Sequence, residues 1–362
     1  MKYLTLTING QSFKEQTLNL LCRQKLSDEK LPAWERNLYR FIQDWISNES
    51  AIEVKTSGST GSPKRLRIEK SKMIHSALMT GEFFHLNPGD NALLCLPVDF
   101  IAGKMMIVRS IVLGLNLIPV EPKGNPLEGI NDEFVFAAMT PLQVSKILNE
   151  PEGFDKLNRI EKLIVGGADI HPELMQKIRL LKNETWHTYG MTETLTHVAV
   201  KRLNALEENE NFKALPGIRF QKDDRGCLAI IAPHLGDSSI QTNDLVDLIN
   251  DKEFKFIGRI DHVINSGGIK FSPEEIESKL SPFIKRKFII AGFPDDRLGQ
   301  KIVLIIEGSP NDKFDLEESA EKAGLSKFEK PGKVIFVDQF PCTESGKVIR
   351  GDLINQCFSK KQ

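Results

Sequence analysis

The chain has 362 residues, 40% of them hydrophobic and 27% charged, with a formal net charge of -1. That length exceeds what one ordinary core fills and suits a large domain with a smaller one. The near-neutral balance, with no basic stripe, argues against a nucleic-acid partner; Lys285-Arg286-Lys287 reads as a strand flank.

The opening MKYLTLTING lacks a charged segment leading into a long apolar one, so no signal peptide is expected. Trp34 and Trp45 lie 11 apart, the spacing of one helical face, and read as packing residues. A short apolar run at 51–54 leads into Thr56-Ser57-Gly58-Ser59-Thr60-Gly61-Ser62-Pro63-Lys64. Small residues let backbone N–H groups turn toward phosphate oxygens, while hydroxyls and Lys64 add donors. The alternative is a mobile Ser/Gly loop. The order of residues is not that of a Walker P-loop.

Strand-like runs at 91–96, 116–120, 134–139 and 160–165 alternate with helix-like ones at 101–113, 141–148 and 172–181. Such alternation predicts an α/β fold with a largely parallel sheet. The longest apolar run, 101–117, is interrupted by Lys104, Arg109 and Asn116 and does not suit a membrane span. Strand 185–187 leads into Tyr189-Gly190-Met191-Thr192-Glu193-Thr194. A carboxylate beside hydroxyls suits Mg²⁺ and phosphate; the alternative is a helix start with Thr192 as cap. His85, His187 and His197 have no motif partner, so a structural role is their default, although His197 follows the motif closely.

Further on come Gln241-Thr242-Asn243-Asp244 and Gly258-Arg259-Ile260-Asp261. A carboxylate can accept both ribose hydroxyls and an arginine can donate to sugar or phosphate; each also reads as a turn residue or an ion pair. Composition changes after Gly258. Strand-like runs at 287–292, 301–307 and 333–337 follow, with a helix opened by Ser272-Pro273-Glu274-Glu275, in which Glu275 would complete a capping box. The predicted division is 1–258 and 259–362, a layered α/β domain and a smaller mobile α+β domain. Five cysteines without paired spacing read as thiols of a cytoplasmic protein.

In order, these blocks resemble the adenylate-forming superfamily of acyl-CoA synthetases, luciferases and peptide-synthetase adenylation domains. Residues 56–64 match its signature loop, Gly166-Gly167-Ala168 its adenine-side loop and YGMTET its Mg²⁺/AMP motif. Gly292-Phe293-Pro294-Asp295 with Gly299-Gln300, and Pro341-Cys342-Thr343-Glu344-Ser345-Gly346-Lys347 with Arg350, match two later blocks. Within the superfamily, residues 96–103 and Ile264-Asn265-Ser266-Gly267-Gly268 resemble the o-succinylbenzoate–CoA ligase family of menaquinone biosynthesis.

The resemblance implies ATP, Mg²⁺ and CoA acting on a small carboxylic acid. Lys347 is implied as catalytic. Thr56, Ser57, Ser59, Thr60, Lys64, Gly166, Gly167, Ala168, Tyr189, Gly190, Met191, Thr192, Asp244 and Arg259 are implied to hold nucleotide, and Glu193 the metal. It further implies Gly103, Lys104, Arg109 and His197 around the acid, Asp261 as hinge, and Gly267 and Gly268 on the CoA side. Another aryl or acyl acid, a carrier-protein acceptor and a homodimer stay open. Phe100 stands where the family has histidine and Asn243 where it has glycine. The signature loop begins at 56, so an N-terminal layer of the family is expected to be missing.

Overall fold

Short apolar runs separated by helical ones leave the chain no way to bury both faces except as parallel strands covered by crossover helices. The computed structural model describes residues 5–55, 65–205, 211–309, 314–343 and 348–359. Contacts divide the chain into two units: Met1–Gly167, Lys177–Arg219 and Ile231–Ile240 in one, Ala168–Gln176, Phe220–Ile230 and Gln241–Gln362 in the other.

Up to residue 214 the elements are β1 (Thr5–Ile8), β2 (Gln11–Lys14), α1 (Glu15–Ser27), α2 (Ala33–Ile46), β3 (Ala51–Lys55), β4 (Arg65–Glu69), α3 (Lys70–Phe84), β5 (Asn91–Leu94), α4 (Ile101–Leu113), β6 (Asn116–Pro119), β7 (Phe134–Met139), α5 (Pro141–Leu148), α6 (Gly153–Asn158), β8 (Ile160–Val165), α7 (Pro172–Ile178), β9 (Glu184–Gly190), β10 (His197–Arg202) and β11 (Phe212–Ala214). The strands of the first unit's main sheet lie in the order β11-β10-β9-β8-β7-β5-β6-β1-β2. From β6 to β9 every neighbouring pair is parallel; β10 then folds back antiparallel on β9. Parallel strands end at a common edge, so the turns after β5, β7, β8 and β9 gather there, the edge at which α/β sheets bind ligands.

Helix α4 is buried from Met105 to Val112. Its close approach at the start depends on Gly103, where a Cβ would lie 2.3 Å from the Pro97 carbonyl oxygen. Gly114 (φ +71°) ends it in the left-handed conformation that glycine adopts most easily. Helix α5 opens on a capping box between Thr140 and Gln143. Trp45 is fully buried on α2, as its spacing suggested.

The later elements are β12 (Arg219–Lys222), β13 (Cys227–Ile231), β14 (Ile240–Asn250), β15 (Glu253–Arg259), β16 (Ile264–Ser266), β17 (Ile269–Phe271), α8 (Pro273–Leu280), β18 (Phe288–Asp295), β19 (Gly299–Glu307), α9 (Leu316–Lys322), β20 (Lys333–Val337) and α10 (Arg350–Ser359). A small sheet, β17-β16-β19-β18 with β20 on β19, carries the period-two pattern of a strand buried on both faces. Ile289, Ala291, Phe293, Val303 and Ile305 pack with Leu353 and Cys357 of α10. Ile290, Ile302, Leu304 and Ile306 pack with Ile276 and Leu280 of α8.

Contacts group Gln241–Arg259, together with Ala168–Gln176 and Phe220–Ile230, with this later part. The reason is local: Ser272 Oγ donates to the Ile257 carbonyl at 3.1 Å, and Gly258 lies against Ser272 and Glu274. The same bond corrects the expected capping box. Ser272 stands at the N-cap of α8, but its side chain does not cap the helix. Among the described residues, no helix is long and apolar enough to cross a membrane.

Candidate active site

Residues 56–64, with Thr56, Ser57, Ser59, Thr60 and Lys64, lie outside the described residues. The strands on either side, β3 and β4, form an antiparallel hairpin whose last pair is Lys55 with Arg65. Lys347 also lies outside them.

Gly166 and Gly167 follow β8, and Tyr189 and Gly190 end its parallel neighbour β9. Gly190 is required sterically by backbone, and Gly166 packs closely on the Thr188 side chain. A Cβ on Gly166 would lie 2.0 Å from Thr188 Oγ1, and one on Gly190 would lie 2.4 Å from the Thr196 carbonyl oxygen. Gly167 adopts φ +86°. Ala168 begins the stretch grouped with the second unit.

No helix begins at Thr192. The chain turns tightly back into β10 instead, with the Leu195 amide donating to the Thr192 carbonyl at 3.0 Å and Leu195 at φ +68°. Buried Thr194 organises the turn, its Oγ1 accepting from the Met191 amide at 2.9 Å. Thr192 and Glu193 are left exposed beside Met191. A single exposed carboxylate with neighbouring oxygens fits Mg²⁺, which takes few protein ligands and completes its shell with water and substrate oxygens.

Arg109 is 2% exposed on α4. Its Nε donates to Thr80 Oγ1 of α3 at 3.3 Å, one terminal nitrogen lies 3.6 Å from Met106 Sδ, and its guanidinium stands 6.0 Å from the Phe136 ring centre. Among the described residues no acidic side chain pairs with it. Asp99, four residues before Gly103, is exposed and accepts from Asn37 Nδ2 through both oxygens, so it is not a partner of Arg109. Burial pushes Arg109 down to about 10, which leaves it charged near neutral pH. His197, at the start of β10, is buried and its Nε2 has no hydrogen-bond partner among the described residues. Burial first, and the charge of Arg109 second, hold its pKa well below the ordinary histidine value. Lys104 belongs to different surroundings: its Nζ donates to the Val98 carbonyl at 2.5 Å and lies over the Phe41 ring. Gly103 serves the helix packing described above. Thr80, Met106 and Phe136, which frame Arg109, carried no motif signal. Their only hint is the buried Ser76–Thr80 spacing on α3, joined by a 3.0 Å bond from Thr80 Oγ1 to the Ser76 carbonyl.

In the second unit, Asp244 and Arg259 stand opposite each other on β14 and β15. Asp244 is buried and lies 3.5 Å from an Arg259 terminal nitrogen. Arg259 engages Asp261 more closely, at 2.9 and 2.8 Å, and these bonds hold the Asp261 carboxyl below its ordinary range. Asn243 accepts from Arg225 at 3.0 Å, a bond that glycine could not make. Gly267 and Gly268 (φ +62° and +83°) form the tip of the β16–β17 hairpin, tied by the Gly267 amide to the Leu298 carbonyl at 2.9 Å.

A model of the AMP-binding enzyme family matches residues 25–220. A 2-succinylbenzoate–CoA ligase of Lactococcus lactis is 26% identical over 333 residues, 86% of this chain and 72% of that protein. An acyl-CoA synthetase (AMP-forming)/AMP-acid ligase II-like protein from Dyadobacter fermentans is 35% identical in a solved structure (TM-score 0.64), covering 93% of this chain and 98% of that one. The fold is shared with the o-succinylbenzoate–coenzyme A synthetase of Bacillus subtilis solved with ATP and magnesium (TM-score 0.73, 18% identity, 97% and 96% covered). With a family model over more than half its length and a 35%-identical relative along nearly all of it, this chain belongs to the AMP-binding enzyme family.

Proposed function

We propose that this protein joins 2-succinylbenzoate to coenzyme A through an acyl-adenylate. The observation that carries the substrate is Arg109, a buried guanidinium with a neutral hydroxyl, a thioether and a ring face around it but, among the described residues, no acid. A charge left so poorly compensated needs an anionic partner, and its fork suits a carboxylate. 2-Succinylbenzoate carries two carboxylates, one to react and one to be held.

In the first half-reaction a carboxylate oxygen bonds to the α-phosphorus of ATP, the bond to the β-phosphate oxygen breaks, and pyrophosphate leaves. Lys347 neutralises the charge that grows on the α-phosphate. The 56–64 loop holds the departing phosphates, Thr192 the α-phosphate, and Asp244 the ribose hydroxyls. Glu193 would hold Mg²⁺, which supplies charge neutralisation along the phosphates. In the second half-reaction the CoA thiol gives up its proton to solvent, its sulfur bonds to the acyl carbon, and the acyl carbon–oxygen bond to AMP breaks, releasing AMP. Gly267 and Gly268 serve that step, with Asp261 as the pivot about which the 259–362 part turns.

The test is a pyrophosphate-release screen across mono- and dicarboxylic acids, with CoA or a carrier protein as acceptor. The reading expects 2-succinylbenzoate with CoA to lead. Preference for another aryl or acyl acid, or for the carrier, overturns the substrate or the acceptor respectively.

Two site assignments can be checked alone. Asp244→Ala is expected to weaken ATP binding by roughly tenfold to a hundredfold, the value of a hydrogen bond to a charged group, measured by calorimetry. Unchanged affinity removes it from the ribose site. Glu193→Gln keeps the shape but loses the charge, so half-maximal activity should require more Mg²⁺. An unshifted Mg²⁺ titration leaves Glu193 a mere turn residue.

A further inference from the structure

Among the described residues, strand β18 lies at an edge of the small sheet, where outward N–H and C=O groups have no neighbouring strand. At Ile290 both are satisfied by one ion pair. The Ile290 amide donates to Glu277 Oε1 at 2.6 Å, and Arg350 donates to the Ile290 carbonyl at 3.2 Å. Arg350 also donates to both Glu277 oxygens, at 2.8 and 2.6 Å. Their side chains are only 22% and 18% exposed. Burial pushes the Glu277 carboxyl up, and the charge of Arg350 works against that. Because α8 covers one face of the sheet and α10 the other, the pair clamps the two helices around its edge.

Arg350 is the first residue of α10, three positions after Lys347. The chain on both sides of residues 344–347 is pinned. Cys342 and Val348 form a bridge, the Ile349 amide donates to the Pro341 carbonyl at 2.8 Å, and Val348 packs on the core beneath α10. Of these anchors only the Glu277–Arg350 pair is charged, and it ties the start of α10 to α8.

We propose that Glu277 is a positioning residue for adenylation, fixing through Arg350 the start of α10, three residues beyond Lys347. The inference rests on the role given to Lys347 above. It assigns Glu277 no contact with substrate. A displacement of about 1 Å at a catalytic group can cost roughly a hundredfold in rate, so loss of the clamp should act on the step that uses Lys347 and spare the one that does not.

The experiment uses the full chain with Glu277→Gln, and with Arg350→Lys, which keeps the charge but not the fork. Acyl-adenylate formation from ATP and acid, and thioester formation from supplied acyl-adenylate and CoA, are measured separately. Glu277→Gln should slow adenylation by roughly tenfold to a hundredfold through kcat, with the KM for ATP nearly unchanged. Thioester formation should stay near the parent rate and so certify the fold. Arg350→Lys should show the same selectivity with a smaller loss, and it decides the matter if Glu277→Gln does not fold. Equal losses in both half-reactions, a loss confined to thioester formation, or full adenylation activity overturns the proposal. Lys347→Ala run alongside separates the two ideas: if it loses adenylation while the clamp variants keep theirs, the clamp fails and the role of Lys347 stands; if it keeps adenylation, that role fails first.

Discussion

Lys347→Ala is expected to reduce acyl-adenylate formation on the order of a hundredfold to a thousandfold, the scale of removing one charge-stabilising donor from a transition state. Thioester formation from supplied acyl-adenylate should survive. The asymmetry follows from the chemistry. In the first half-reaction the α-phosphate passes through a state with more charge on its oxygens and both attacking and leaving oxygens attached. In the second, attack occurs at the acyl carbon and the phosphate leaves as part of AMP. A cation serving the α-phosphate is needed for the former. Single-turnover measurement of each half-reaction is the check, and equal loss in both would make Lys347 a structural or general binding residue.

Much of this architecture was legible because it is encoded locally. The helices at Ile101–Leu113 and Pro141–Leu148 and the strands at Phe134–Met139 and Ile160–Val165 fall where hydrophobic runs, glycine and proline placed them. Expectations failed where a local signal had a distant competitor. Ser272 reads as a helix cap, yet its hydroxyl is drawn to the Ile257 carbonyl. The alternative reading of Thr192 as a helix start falls too, because Thr194 and the required Gly190 turn the chain into an antiparallel strand. Composition alone suggested the division at 258, and the Ser272–Ile257 bond is a contact that spans it. Arg109 stood out as a cation in an apolar helix, but its partner Thr80 is 29 residues away and could not be named. Glu277 was wholly hidden, since its partner Arg350 lies 73 residues on and nothing in either local pattern marks the pair.

Arg109→Met should raise the KM for 2-succinylbenzoate by roughly tenfold to a hundredfold, the equivalent of a lost hydrogen bond to a charged group, and leave the KM for ATP nearly unchanged. Preference should relax toward aromatic mono-acids, since the second carboxylate would no longer be rewarded. The same substitution separates a substrate anchor from a structural charge through stability. A guanidinium that closes a buried ion pair leaves an orphaned acid when removed, which costs several kcal/mol. Arg109 has no such acid among the described residues, and its own burial already disfavours the charged form. Methionine has similar reach and fills much of the same space without a charge to desolvate. The melting temperature should therefore hold or rise while acid recognition falls, with 2-succinylbenzoate stabilising the parent protein more than the variant. His197 sharpens the expectation: Arg109 disfavours its protonation, so the variant's histidine should titrate closer to its ordinary value. That shift would be visible by NMR in the absence of substrate. A variant that melts earlier and keeps its dicarboxylate preference would make Arg109 a core residue and remove the main support for 2-succinylbenzoate as the acid.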